Sequence, residues 1–67
     1  MELSARNQLQ VRIKQIKSND LSAEVIMEIG GQEMCASVTA DSVKRLGLKN
    51  GDNATAVVKA SSVMLMK

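Results

Sequence analysis

The chain has no His, Phe, Trp, Tyr or Pro, a single Cys, and four Gly among its 67 residues. Each absence removes a class of protein. Without His, Cys35 has no imidazole to join it as a zinc ligand, and one Cys cannot form an internal bridge. General acid–base chemistry relies mostly on His or on a tuned carboxylate pair, and the carboxylates here are scattered over turns and outward strand positions, so the chain is not expected to be an enzyme. Cys35 is expected to be a small, semi-buried side chain, and the five Met fill core or interface gaps. Single-stranded nucleic acid is held by stacking bases on aromatic rings inside a basic groove. With no ring to stack on, nucleic acid is not an expected partner. No apolar run approaches the roughly 20 residues that span a bilayer, so no membrane role is expected either. Neither sign of charge dominates, since nine Lys and Arg against seven Asp and Glu leave +2. A symmetric oligomer would multiply that charge and focus a positive field into its interfaces, which favours an anionic partner.

A chain of this length buries only about 60% of the surface its unfolded form exposes. Small domains meet that shortfall with disulfides, metals or self-association, and only self-association remains open here. Hydrophobic residues make up 45% and charged residues 24% of the chain, a balance that specifies a folded domain rather than disorder. The lone thiol between Met34 and Ala36, and an N-terminus without the zones of a signal peptide, lead to an expected cytoplasmic location.

Leu9, Val11 and Ile13 alternate with Gln10, Arg12 and Lys14, the period-two pattern of a half-buried strand. Ile16 breaks that parity, which predicts a bulge or the strand's end near Gln15. Ser18, Asn19 and Asp20 form a turn cluster. Leu21, Ala23, Val25, Met27 and Ile29 then make a second strand, with Ile26 apolar on its otherwise polar face. Gly30 and Gly31 suit a two-residue hairpin turn, so the third strand, carrying Met34, Ala36 and Val38 inward, pairs with the second. Thr39 or Asp41 caps a short helix that ends at Gly47. Asn50 and Gly51 turn the chain into a fourth strand through Ala54, Ala56 and Val58. Ala60 to Ser62 interrupt the alternation, and Val63 with Leu65 is expected to form a short fifth strand. The order β-β-β-α-β-β predicts a mainly β fold, a small five-stranded OB-like barrel with one short helix, occupying residues 1–67 as a single domain.

Hydroxyls and cationic donors gather in three segments where strands begin, end or break: Ser4-Ala5-Arg6-Asn7, Thr39-Ala40-Asp41-Ser42 and Lys59-Ala60-Ser61-Ser62. Each also has a plain structural role, as a turn, a helix cap and a solvated strand end. Together they supply hydroxyls, backbone N–H groups, a helix start, a guanidinium and an ammonium, the donor set of a tetrahedral oxyanion site. A donor-only site suits a fully deprotonated dianion. Hydrogen phosphate carries a proton that such a site leaves unpaired.

SARNQL near the start, VTADSVKRLGL after the third strand and VVKASSVML near the end, in that order and over essentially the whole chain, resemble the molbindin (Mop) family of molybdate-binding proteins. The same module occurs within molybdate-responsive regulators and molybdate transporter ATPases. This chain, lacking DNA-binding helices and a nucleotide-binding loop, is similar to the stand-alone form. The resemblance implies a homohexamer, a trimer of dimers, that binds molybdate or tungstate between subunits and stores it in the cytoplasm. It also implies that Ser4, Ala5, Arg6, Lys59, Ala60 and Ser61 meet Thr39 and Ser42 of a neighbour around the anion. The metal would be held as its oxyanion, with no direct protein ligand and no catalytic cofactor. Two rival expectations stand beside this one: a nucleic-acid-binding OB module, and a structural or regulatory subunit whose donor clusters are only caps and turns.

Overall fold

The computed structural model describes residues 6–67. Four strands, β1 (Asn7–Ser18), β2 (Ser22–Ile29), β3 (Gln32–Thr39) and β4 (Asn53–Val58), form one antiparallel sheet in the order β3-β2-β1-β4. A single helix, α1 (Ala40–Leu46), lies between β3 and β4 in the chain, and a 3₁₀ turn over Ala60–Ser62 follows β4.

The long first strand is possible because it bends. Its register against β2 slips between Ile13 and Gln15, so Ile13 faces Met27 and Gln15 faces Ile26. Lys14 is the extra residue, and the bulge it forms restores Ile16 to the inward parity opposite Val25. At the same place the other edge of β1 passes to the Asn50–Gly51 turn. Gly51 N–H donates to the Ile13 carbonyl at 2.7 Å, and Ile13 N–H donates to the Asp52 carbonyl at 2.8 Å.

Alternation places the core where the sequence puts it. Val11, Ile13, Val25 and Met27 are buried, and Leu9, Ile16, Met34, Ala36, Val38, Val43, Ala54 and Ala56 pack around them half-exposed. The ladder aligns them in rows, Ile13–Met27–Met34 and Ile16–Val25–Ala36, so each row is a set of cross-strand neighbours on one face. Ile26, on the outer face, is half-buried between Gln15 and Cys35. Cys35 itself is exposed, not semi-buried, because its odd position in β3 turns it away from the core.

The turns form by the chemistry of their residues. Gly30 and Gly31 both have positive φ, 55° and 79°, as a two-residue hairpin loop of the I′ kind demands. Asn19 Oδ1 accepts from the N–H groups of Leu21 and Ser22, each at 2.9 Å, closing the β1–β2 turn with a side chain. Thr39, rather than Asp41, caps α1, and Gly47 ends it in the left-handed conformation with φ 63°. Asp41 instead pairs with Arg45 one turn later, at 2.7 Å.

One expected element is absent: Val63–Leu65 forms no strand. The 3₁₀ turn carries the chain off the end of β4, and the segment that follows meets no strand among the described residues, so it has no ladder to join. The described residues hold four strands, and the barrel is open between β3 and β4.

Candidate functional site

The structure brings the expected donors together as two groups. The first stands where β1 begins and β4 ends. Asn7 faces Val58 in the last pair of that ladder, and one step further outward Arg6 and Lys59 flank it, both exposed. Fifty-odd residues of chain thus return to place Lys59 across the ladder end from Arg6. Among the described residues neither pairs with a carboxylate, since the two ion pairs present are Lys14–Glu33 and Asp41–Arg45. Two like charges at one ladder end raise the local potential and favour an anion there.

Directly after Lys59, the 3₁₀ turn adds backbone donors. Ser62 N–H donates to the Lys59 carbonyl at 2.9 Å and Val63 N–H to the Ala60 carbonyl at 3.3 Å. That pattern uses the later N–H groups and leaves those of Ala60 and Ser61, at the start of the turn, with no acceptor inside it. Ala60 and Ser61 are exposed, as is Lys59. Ser4 and Ala5, expected to complete this group, lie outside the described residues.

The second group is the start of α1. Ser42 N–H donates to Thr39 Oγ1 at 3.0 Å, and the two hydroxyls are hydrogen-bonded to each other at 2.7 Å. The capping role is therefore real, and it shapes what the pair can do. One hydroxyl hydrogen is spent between the two oxygens, so the pair keeps one O–H to offer an outside acceptor. Thr39 is exposed and Ser42 half-buried.

Along the ladder these two groups stand at opposite ends. Thr39 faces Ser22 and Ala23 faces Ser18, which puts the helix start beside the last residues of β1, whereas Arg6 and Lys59 stand beyond its first. Among the described residues no hydrogen bond joins the groups. Ser42 and Val58 nevertheless both line one groove, of about 290 Å³, whose walls are mostly apolar. Sequence reasoning did not foresee this groove. Its signal was the small size of Ala54 and Ala56, which face Val11 and Leu9 and leave space above them.

Lys14 Nζ reaches across β2 to Glu33 Oε1 at 2.9 Å. The hydrogen bond to Glu33, then its charge, raises the Lys14 pKa above the usual lysine range. This pair was also missed, because its partners lie on strands separated by β2.

A small open antiparallel barrel with donors gathered at strand ends and an apolar interior has the form of a ligand-binding module. The comparisons give that class a family: residues 3–65 match the TOBE domain, and the chain belongs to that family, with molybdenum-pterin-binding (Mop) proteins as its relatives. It is 43% identical to molybdenum-pterin-binding protein 2 of Clostridium pasteurianum over 98% of both chains. A molybdate-binding protein from Sporomusa ovata superposes with a TM-score of 0.94 at 39% identity, over the full length of both chains. The cytoplasmic molybdate-binding protein ModG, in a structure with molybdate bound, superposes with a TM-score of 0.87 at 45% identity, over 96% of this chain and 46% of that one. The OB-like class expected from the strand order is the fold of these neighbours.

Proposed function

We propose that this chain binds molybdate, or its congener tungstate, as an intact tetrahedral oxyanion, and holds it as a cytoplasmic store without chemical transformation. The observation that carries the reading is the placement of Arg6 and Lys59 at the β1–β4 ladder end, next to the N–H groups of Ala60 and Ser61, which have no acceptor within the 3₁₀ turn. A guanidinium, an ammonium and backbone N–H groups are all donors, so they match an anion that carries no proton. Ser4 and Ala5 immediately precede Arg6 in the sequence and are proposed as part of the same site. The metal stays wrapped in its own oxygens, and no side chain ligates it.

Thr39 and Ser42 complete the site from a second copy. Their place at the far end of the ladder from Arg6 supports an anion shared between subunits, and the homohexamer, a trimer of dimers, is the assembly proposed. The names of the relatives and structural neighbours, which bind molybdate or molybdenum-pterin, support the ligand. The described residues form one antiparallel sheet that fits a single domain over residues 1–67.

Isothermal titration with molybdate, tungstate, sulfate and phosphate tests the reading. Molybdate and tungstate should bind and phosphate should not. Arg6→Ala should weaken molybdate by about 1.5–3 kcal/mol, roughly ten- to a hundredfold in Kd, with the circular dichroism spectrum unchanged. Lys59→Arg should not restore what Lys59→Ala loses, because a planar fork does not replace a point donor. Binding of phosphate as tightly as molybdate, or an Arg6→Ala variant with undiminished affinity, defeats the assignment.

A further inference from the structure

Asp41 follows the cap residue Thr39 by two positions and precedes Ser42 by one, so its carboxylate belongs to the same helical turn as the hydroxyls proposed for the anion. It has the wrong charge for that place. A carboxylate offers only acceptors and a full negative charge, so beside the hydroxyls it would repel a dianion. It would also compete for the one O–H that the Thr39–Ser42 pair has left, because short acidic side chains readily bond to donors of their own turn. Neither contact is made. The Ser42 N–H and hydroxyl are both engaged with Thr39 Oγ1, and among the described residues Asp41 bonds to neither residue.

Arg45 accounts for this. Its Nε donates to Asp41 Oδ2 at 2.7 Å, and the spacing of four residues puts both side chains on one face of α1. Arg45 lies one turn further from Thr39 than Asp41 does, so the pair draws the carboxylate back along the helix and neutralises its charge. Glu24, the acid on the flanking strand, faces Ser37 on one side and Lys17 on the other, so it too stands opposite a cation. The side chains of Asp41 and Arg45 are 68% and 80% exposed. A pair so exposed adds little to the stability of the fold. Its effect falls instead on the hydroxyls beside it.

We infer that Arg45 is a positioning residue for oxyanion binding: by holding the Asp41 carboxylate back, it keeps the Thr39 and Ser42 donors open to a dianion. Arg45 touches no ligand itself. Asp41 favours the first turn of α1, where the backbone N–H groups make the helix end positive. The same acid opposes an anion at the same turn, and Arg45 removes that conflict. The inference rests on the reading of Thr39 and Ser42 as part of the oxyanion site, and adds to that site a residue outside its donor set.

Calorimetric titration of the full-length protein with sodium molybdate, at about 10 mM and about 200 mM salt, tests it. Arg45→Ala should raise Kd about three- to tenfold at the lower salt and less at the higher, since the released charge is screened. The far-UV circular dichroism spectrum should not change, because Ala is the best helix former. Arg45→Lys keeps a cation four residues from Asp41 and should stay near the parent Kd. The decisive comparison repeats Arg45→Ala in an Asp41→Asn background. No carboxylate is released there, so the loss should be clearly smaller than with Asp41 present. Equal losses in the two backgrounds would show Arg45 acting only as a distant cation and overturn the inference. So would an unchanged Kd for Arg45→Ala in a protein that binds molybdate and loses affinity with Arg6→Ala, a result that leaves the site reading standing. Failure of the parent protein to bind molybdate would instead sink the site reading, and this inference with it.

Discussion

The β1–β2 pair and the C-terminal run are built from the same kinds of residue and meet opposite fates. Val11, Ile13, Val25 and Met27 are 2–5% exposed, whereas Val63, Met64, Leu65 and Met66 are 49–99% exposed. Both segments alternate or run apolar, and both have strand-forming residues. The difference lies in what stands beside them. β1 has a strand on each side, and its apolar face is roofed by β2 and the half-buried residues of β3 and β4. The tail has a polar turn behind it and no paired strand among the described residues. Burial is a property of pairs of segments, and apolar sequence only makes a segment available for it.

The most damaging way to break the comparison is to remove the better-packed half. Ile13, at 2% exposed, fills the centre of the row Ile13–Met27. Ile13→Ala should cost about 2–5 kcal/mol. A domain this small has little stability to lose, so the variant should be largely unfolded at room temperature. Far-UV circular dichroism with urea is the suitable probe, because the chain has no aromatic fluorophore.

Leu65→Ala sharpens the other half. If the tail is buried only by a second copy, this loss should be smaller than that of Ile13→Ala. It should also grow with protein concentration, because association stabilises by mass action. Urea midpoints of variant and parent should converge on dilution and separate on concentration. A concentration-independent loss would place the tail in its own barrel.

The start of α1 allows a finer separation of structure from binding. Thr39 Oγ1 is the atom that accepts the cap hydrogen bond, so Thr39→Ala should cost about 0.5–2 kcal/mol without any ligand. The Ser42 hydroxyl is not the cap acceptor. Ser42→Ala should therefore leave the ligand-free midpoint nearly unchanged while reducing the stabilisation that molybdate confers. Equal losses in the two ligand-free variants would contradict this division of roles.

The smallest expected effect belongs to the bulge. Glu33 raises the Lys14 pKa through its hydrogen bond and charge, so the charged lysine is favoured in the folded state. The resulting stability is present below the ordinary lysine pKa and is lost as pH rises through the raised value. In Glu33→Gln, NMR titration of the Lys14 side chain should show its pKa falling back toward the other lysines. Because Lys14 and Glu33 are both well exposed, the change in overall stability should be minor.

Much of this molecule could be read from short stretches of sequence. The parity break at Ile16 announced the bulge, and Gly30–Gly31, Thr39 and Gly47 announced the hairpin and the ends of the helix. These features are local, since a backbone conformation or a side-chain hydrogen bond within three residues settles each of them. The donor types Arg6, Thr39, Ser42 and Lys59 were legible for the same reason, as residues of the right chemistry at strand ends. Their grouping was not legible residue by residue; only the family resemblance implied it, with Arg6 and Lys59 on one subunit and Thr39 and Ser42 on a neighbour. Only the β1–β4 register, with Asn7 opposite Val58, puts Arg6 next to Lys59, and only the β2–β3 ladder sends Thr39 to the other end. The failure of the fifth strand has the same origin. Val63–Leu65 has strand character by itself, but a strand exists only when another backbone satisfies its N–H and C=O groups. That requirement is met or missed by the arrangement of the whole chain, and the turn at Ala60–Ser62 leads the segment to where no strand among the described residues pairs with it.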